Sequence, residues 1–131
     1  MAVYTSADHL YKCFRALFAR VEIENPQAAE AVLKSRLLIR FRCSTPTAEI
    51  TIDARQRPLQ IQYGPSSLKP DLDIALTADT LHRILLGELT LTKALGSGQL
   101  KPIGPVWKTA VLADLFYHAQ RIYPQIFQQY S

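Results

Sequence analysis

The sequence predicts an α+β fold, since helical and strand-like hydrophobic patterns follow one another along 131 residues. Apolar residues recur at helical spacing near the start of the chain, and they alternate with polar residues over residues 36–64. Helical spacing returns after residue 77. This length fits one domain, residues 1–131, that can bury an apolar core without a disulfide or a structural metal.

The composition narrows the class of protein. Hydrophobic residues make up 48% of the chain and charged residues 20%, which excludes a disordered protein. No apolar run approaches the roughly 18 residues that span a bilayer, and residues 1–20 lack the pattern of a signal peptide. We therefore expect a soluble, cytoplasmic protein. In that setting Cys13 and Cys43 are expected to be small buried residues, with a disulfide as the alternative.

Two helices are predicted at the start of the chain, within residues 6–34. In the first, residues 6–21, Ser6 is placed to cap the N-terminus. Its apolar stripe has the spacing of a buried helix face and consists of Leu10, Phe14, Leu17, Phe18 and Val21. Pro26 is suited to begin the second helix, Gln27–Lys34.

Three half-buried strands are predicted next, at Arg36–Cys43, Thr47–Ala54 and Pro58–Gly64. In each of them apolar residues alternate with polar ones. Short connections join antiparallel neighbours, so the three strands form a meander with one apolar face and one face in water.

The predicted turns also define a register for this meander. A four-residue loop after the first strand would place Arg40 opposite Glu49. A second four-residue loop would place Ile52 opposite Leu59. In this register the apolar residues share one face and opposite charges pair on the other.

A loop, Gly64–Pro70, leads to a fourth strand, Asp71–Leu76, and is expected to cross over the sheet. Thr77 then caps a helix that runs to Leu86 and stops at Gly87.

The remaining elements are a short helix, Leu91–Leu95, a fifth strand, Gly98–Ile103, and a long helix that begins at Pro105. Pro102 makes the fifth strand an edge strand. Pro124 is expected to end or kink the last helix.

No catalytic constellation, metal site or cofactor motif is predicted. The three histidines, His9, His82 and His118, have no partner at metal-ligand spacing and are expected on helix surfaces. Ser97 lies between two glycines but lacks the strand-then-helix context of a nucleophile. Asp71 and Asp73 form a weak metal-binding pattern, and solvated carboxylates near Arg40 or Arg42 are the favoured interpretation. We expect no enzyme and no cofactor.

The net charge of +4 is compatible with nucleic acid or with an anionic membrane surface. Acidic and polar residues interleave with the strand arginines, and Phe41 and Tyr63 point to the apolar side, where they could not stack on bases. We therefore expect no nucleic acid, and we expect transient contact with anionic membranes. The cations expected to make that contact are Arg55, Arg57, Lys93 and Lys101.

The two short helices between Leu81 and Leu95 are apolar around more than one face. One interpretation is ordinary core that faces the sheet. The other is a wall shared between the core and a cavity for an apolar ligand.

From Leu72 onward the chain resembles the sterol carrier protein type-two domain family. The resemblance rests on the run Asp73–Leu81, Ile84 and Gly87, Lys93-Ala94, Ser97–Lys101, Gly104 and Leu115-Phe116. It covers roughly residues 36–123 and departs from the family pattern at Gln99 and Gly104-Pro105. The family implies a five-stranded, mostly antiparallel sheet with helices packed on one face, enclosing an apolar cavity for lipids or acyl chains.

The expected function is the non-catalytic binding and carriage of a fatty-acyl, sterol-like or isoprenoid lipid. The alternative is an accessory module that docks a partner protein of a lipid pathway through its apolar short helices. The residues expected to line the cavity are Phe41, Ile50, Ile61, Ile74, Leu81, Ile84, Leu85, Leu91, Leu95, Trp107, Val111 and Leu115. Trp107 is expected at the margin of the buried stripe of the last helix, where a cavity mouth could meet solvent.

Overall fold

The structure is a computed structural model that describes residues 2–130. Five strands form one sheet in the order β3-β2-β1-β4-β5, with the helices packed on one face. The strands are β1 (Leu38–Ser44), β2 (Ala48–Asp53), β3 (Gln60–Tyr63), β4 (Leu72–Thr77) and β5 (Lys101–Ile103). The helices are α1 (Ala7–Glu24), α2 (Glu30–Ser35), α3 (Ala78–Leu85), α4 (Leu91–Gly96) and α5 (Ala113–Tyr130), with 3₁₀ helices at Pro26–Ala29 and Val106–Leu112. Only the central pair, β1 with β4, is parallel, which confirms the mostly antiparallel α+β fold.

Helix α1 begins where the sequence predicts. The Ser6 hydroxyl accepts a hydrogen bond from the backbone N–H of His9 at 3.1 Å, which satisfies one of the free donors of the first turn. Every residue of the predicted apolar stripe is buried, and Cys13 is buried beside them. The stripe packs α1 against the sheet and α5.

The register of the first hairpin differs from the prediction by two residues. Arg42, not Arg40, lies opposite Glu49, because the buried residues Cys43 and Ala48 remain paired within the ladder. The loop therefore starts one residue later than predicted, after the last apolar pair. A two-residue shift leaves every side chain on its predicted face, since the side-chain period of a strand is two.

The second hairpin is shifted in the same way. Ile52 lies opposite Ile61 rather than opposite Leu59, because the connection takes up residues 54–59 instead of four residues. Strand β3 is correspondingly short and lies at one edge of the sheet.

The outer face of the sheet, opposite the helices, is less exposed to solvent than the alternation of apolar and polar residues predicts. Leu38 and Thr51 lie on this face, and they are only 2% and 1% exposed. Residues 64–71 must pass β2 and β1 to join β3 with β4, so this connection is the segment available to cover the two side chains. The predicted crossover is confirmed.

An ion pair joins the two parallel central strands on the outer face. Arg40 Nη2 donates to Asp73 Oδ2 at 2.7 Å, and Arg42 Nε lies 3.4 Å from the other carboxylate oxygen. Partial burial pushes the pKa of Asp73 upward, but the hydrogen bond and charge of Arg40, with those of Arg42, hold it below its ordinary value. Asp73 is thus a strand carboxylate beside the predicted arginines, but it is half-buried and not solvated as expected.

The segment after β4 follows the prediction, except that the fifth strand begins at Lys101 and not at Gly98. The Thr77 hydroxyl accepts from the backbone N–H of Thr80 and caps α3, and Thr90 caps α4 in the same way through Lys93. Gly87 follows α3 with φ of +79°, a conformation that glycine adopts without strain. Strand β5 is an edge strand, as Pro102 predicts.

The last helix is built differently from the prediction. A 3₁₀ helix, Val106–Leu112, precedes α5, so the chain is not one continuous helix from Pro105. Helix α5 also continues through Pro124 to Tyr130 instead of ending there. Ile126 is buried and Phe127 packs on the core in the turns after the proline, and this packing holds the helix beyond it.

His82 is not a surface residue, contrary to the prediction, and His9 and His118 are half-buried as well. The His82 ring packs against Phe127 at 4.6 Å between ring centroids, and its Nδ1 lies 2.6 Å from the hydroxyl of Tyr123. Burial lowers the pKa of His82. The interpretation of both cysteines as small buried residues is confirmed, because Cys13 and Cys43 are free and buried, and burial raises the pKa of Cys43 to about 12.

We predict that Asp73→Asn lowers the free energy of unfolding by about 1–3 kcal/mol at neutral pH, since it leaves the half-buried Arg40 without its charge-assisted partner. The folded-state pKa of Asp73 is lowered, so this contribution is present above its ordinary pKa of 3.8 and is lost as the pH falls through the lower folded value. Urea unfolding of both proteins along a pH series measures the difference.

Glu24→Gln is the matched control. Glu24 pairs with Arg20 on an exposed stretch of α1, with side chains 43% and 46% exposed, and should cost no more than about 0.5 kcal/mol. An equal loss in both variants, or a loss at Asp73 that persists unchanged into acid, would contradict the assignment.

Candidate functional site

A cleft of about 660 Å³ lies between the second half of α1 and the edge strand β3. The helical layer buries the apolar residues of β1, β2 and β4, but it leaves those of β3 half-covered. The gap beside β3 is the cleft. Its lining consists of Arg15, Phe18, Ala19, Val21, Glu22, Asn25, Pro26, Ala29, Leu33, Arg57, Pro58, Leu59, Ile61, Tyr63 and Leu115.

Apolar side chains form the walls and floor of the cleft. Phe18 and Val21 lie on the α1 side, Leu59 and Ile61 lie on the β3 side, and Leu115 of α5 lies below them. Strand alternation turns the apolar residues of β3 toward the helices, where the spacing of α1 presents its own apolar stripe. The cleft is therefore a continuation of the core that the chain leaves unfilled.

A cation–π pair, Arg15 with Tyr63, belongs to the cleft lining. The Arg15 guanidinium carbon lies 4.7 Å from the centroid of the Tyr63 ring, within the range of a cation–π interaction. Burial raises the pKa of Tyr63 to about 12, although the charge of Arg15 acts in the opposite direction. Within the described residues Arg15 forms no ion pair, so its charge is available to a bound group.

A bidentate ion pair bridges α2 and the β2–β3 connection beside the cleft. Arg57 donates through Nη1 and Nη2 to the two carboxylate oxygens of Glu30 at 2.7 and 3.1 Å. The hydrogen bond from Arg57 lowers the pKa of Glu30. This pair ties the connection before β3 to the helical layer and so fixes one wall of the cleft.

Two of the residues predicted to line a cavity, Ile61 and Leu115, line the cleft. Three others, Phe41, Ile50 and Leu81, surround a gap of only about 10 Å³ between the sheet and the helices. The aromatic rings of Phe41 and Phe116 stack there with centroids 5.8 Å apart. The interior between sheet and helices is thus filled with side chains.

The other predicted residues do not lie on the cleft. Ile74, Ile84 and Leu85 are fully buried core residues, and Leu91, Leu95 and Val111 are half-buried and pack on the core. Trp107 is 76% exposed in the second 3₁₀ helix, outside the buried stripe on whose margin it was predicted.

Sequence reasoning missed most of the cleft. Phe18, Val21 and Leu59 were recognised as apolar positions of a helix or strand, and no feature of their spacing separates a core contact from a cleft wall. One signal was available. An edge strand has one neighbour instead of two, so the apolar residues of β3 are the ones that a narrow helical layer leaves partly uncovered.

Within residues 2–130 no helix combines the length and the hydropathy needed to cross a membrane.

A model of the SCP-2 sterol transfer family matches residues 14–116 of this chain. No curated protein sequence matches this chain.

Several solved structures share the fold. Apo sterol carrier protein 2 of Yarrowia lipolytica is 22% identical with a TM-score of 0.60, covering 77% of this chain and 85% of its own. The sterol carrier protein domain 2 of Helicoverpa armigera is 21% identical with a TM-score of 0.67, covering 86% and 89%. The palmitated sterol carrier protein 2-like 2 of Aedes aegypti is 21% identical with a TM-score of 0.61, covering 82% and 93%. At these identities the likeness shows the fold, and the family match over most of the chain shows that this lipid-binding domain belongs to the SCP-2 sterol transfer family.

Proposed function

We propose that the protein binds and carries one lipid molecule, without catalysis, in the cleft between α1 and β3. The observation that carries the proposal is a concavity of about 660 Å³ with predominantly apolar walls in a chain of a lipid-binding family. Volumes of roughly 300–1,000 Å³ are typical of small-molecule sites. Of the twelve residues predicted from sequence, the proposal retains Ile61 and Leu115 as ligand contacts and adds the other lining residues.

Burial of an acyl chain supplies the affinity. Each methylene removed from water contributes about 0.8 kcal/mol, so about ten of them contribute about 8 kcal/mol, equivalent to micromolar affinity before the costs of association. Phe18, Leu59 and Ile61 offer the apolar surface against which such a chain would lie. A fatty-acyl, sterol-like or isoprenoid ligand meets this requirement, and the palmitated Aedes aegypti structure is a neighbour with the same fold.

The polar groups of the cleft suit the head of such a ligand. Arg15 and Arg57 are cations of the lining, and Asn25 adds an amide. Arg57 is already paired with Glu30, whereas Arg15 only stacks on Tyr63. Arg15 is therefore the group we assign to the polar end of the lipid.

The lining chemistry supports a carrier and not an enzyme. Among the described residues that line the cleft there is no serine, threonine, cysteine or histidine. A nucleophile with an adjacent base is the arrangement that covalent catalysis needs. Arg15, Glu22 and Tyr63 do not form one.

The alternative of a protein-docking module through the short helices has little support. Leu81, Ile84, Leu85 and Leu89 of this segment are buried against the core. Leu86, Leu91 and Leu95 are half-buried and also pack on the core. The apolar residues of the segment 81–95 are therefore covered by the protein's own core, which leaves no apolar face of these helices for a partner.

We predict that Ala19→Trp weakens binding of palmitate to the delipidated protein at least tenfold, because the indole fills part of the cleft from an exposed helix position. Titration calorimetry measures binding, which should saturate near one palmitate per wild-type chain. Trp107 emission does not serve here, since that side chain is exposed and outside the cleft.

Ala113→Trp is the matched control, at an exposed alanine of α5 outside the cleft, and should bind palmitate like the wild type. Equal affinity of Ala19→Trp and wild type would remove the cleft as the site. Failure of palmitate, a sterol and an isoprenoid alcohol to bind would remove the carrier function.

We also predict that Leu81→Ala destabilises the ligand-free protein by about 3 kcal/mol and Leu115→Ala by about 2 kcal/mol. Both side chains are almost fully buried, at 1% and 2% exposure. The first leaves a closed void in the core, while the second widens a cleft that water already enters. Urea unfolding measures both, and a larger loss for Leu115→Ala would show that the floor of the cleft is closed.

A further inference from the structure

Four connections meet at one end of the sheet, and we call residues 34–37, 54–59, 69–71 and 103–108 the basal end. Ala54 N–H donates to Leu37 O at 2.9 Å, and Asp71 N–H donates to Leu38 O at 2.8 Å. Ile103 ends the ladder opposite Asp73. These contacts place the four connections side by side.

An apolar cluster projects from the basal end. Trp107 is 76% exposed, Ile103 65% and Val106 45%. They account for three of the six large hydrophobic residues that are exposed in the described chain, and they fall within five consecutive positions. Gly104 between them has φ of +121°, and a Cβ there would lie 2.6 Å from Asp71 O, so the loop is held close against the start of β4.

The same end carries an excess of positive charge. Its cations are Lys34, Arg36, Arg55, Arg57, Lys69 and Lys108. Arg55 pairs with Asp53 and Arg57 with Glu30, while in residues 2–130 the other four form no ion pair and are exposed. The carboxylate within the connections, that of Asp71, accepts from the backbone N–H of Leu38.

We propose that the basal end docks on an anionic membrane surface, with Trp107, Ile103 and Val106 placed at the level of the lipid headgroups. Trp has an apolar body and one N–H donor, which suits it to the interface between water and hydrocarbon. Lysines and arginines near such a surface are attracted to anionic lipids. Exposed apolar side chains at the same end of the sheet as four unpaired cations are complementary to a layer of anionic headgroups over hydrocarbon.

A membrane fits this surface better than a protein partner does. Specific protein interfaces bury more than about 1,000 Å² in total, and three side chains on one loop supply much less. A symmetric dimer through this surface would bring two copies of the same unpaired cations, including Lys69 and Lys108, into one interface, where like charges repel. A shallow apolar wedge with flanking cations needs no complementary pocket in a bilayer.

The basal end also borders the cleft. Arg57, Pro58 and Leu59 belong to both the cleft lining and the basal connection 54–59. A docked molecule would hold this side of the cleft near the bilayer. Docking through this surface does not require that the cleft hold a lipid.

Trp107 is the sole tryptophan, so the wild-type protein reports its own docking. Vesicles of phosphatidylcholine with phosphatidylserine are expected to shift Trp107 emission to shorter wavelength, and bromine-labelled acyl chains in them are expected to quench it. Vesicles of phosphatidylcholine alone are expected to do neither at the same concentration, and added salt should reverse the shift. An emission spectrum that the anionic vesicles leave unchanged would overturn the proposal.

Variants separate this surface from the rest of the protein in vesicle co-sedimentation. Trp107→Ser and the double variant Lys69→Glu, Lys108→Glu are each expected to bind the anionic vesicles about tenfold more weakly. Their controls are Tyr117→Ser and the double variant Lys12→Glu, Arg121→Glu. These change an exposed aromatic and two exposed cations outside the basal end and should bind like the wild type.

Equal losses in test and control variants would mean that net charge alone acts and would overturn the assignment of the surface. Trp107→Ser should still bind palmitate by calorimetry, because Trp107 is not in the cleft lining. A Trp107 shift that appears with rising protein concentration in the absence of vesicles, with dimers in sedimentation, would replace the membrane by a second copy of the chain.

Discussion

The central position of β1 determines how the rest of the chain is arranged. It pairs with β2 on one side and with β4 on the other, and its inward side chains, Ile39 and Phe41, are almost wholly buried. The helical layer packs over this centre. Coverage decreases toward the two edges, where the inward residues Tyr63 of β3 and Pro102 of β5 are only half-buried. The cleft lies at the β3 edge, and the exposed apolar residues of the basal end follow the other edge strand, β5.

Aromatic packing explains why the cleft is at an edge and not in the middle of the molecule. Phe14, Phe18, Phe41 and Phe116 meet over the centre of the sheet and leave a gap of only about 10 Å³. Close packing of this kind excludes an acyl chain from the centre without a rearrangement of several rings. Phe18 also borders the cleft, so one ring closes the core on one side and forms the ligand wall on the other.

Sequence patterns predicted the elements and faces of this fold better than its registers. A period of two determines which side of a strand is buried, and any shift by two residues satisfies it equally well. Both hairpins differ from the predicted register by two residues. In the first, Cys43 is paired within the ladder and not in the loop, and in the second, the connection is longer than predicted. Pro124 lies inside helix α5 because Ile126 and Phe127 pack on the core beyond it. This tertiary packing cannot be inferred from the residues next to the proline.

The cleft was harder to predict than the fold because it depends on which apolar residues remain uncovered. Ile74 and Ile61 have the same pattern in the sequence, yet β4 lies near the centre of the sheet and β3 at its edge. Trp107 shows the converse case. Its apolar side chain was assigned to a buried margin on the assumption of a continuous helix, and the 3₁₀ geometry of Val106–Leu112 places it in solvent instead. Trp107, Ile103 and Val106 together expose apolar surface to water, which is costly for a free molecule, and a surface that covers them would remove that cost.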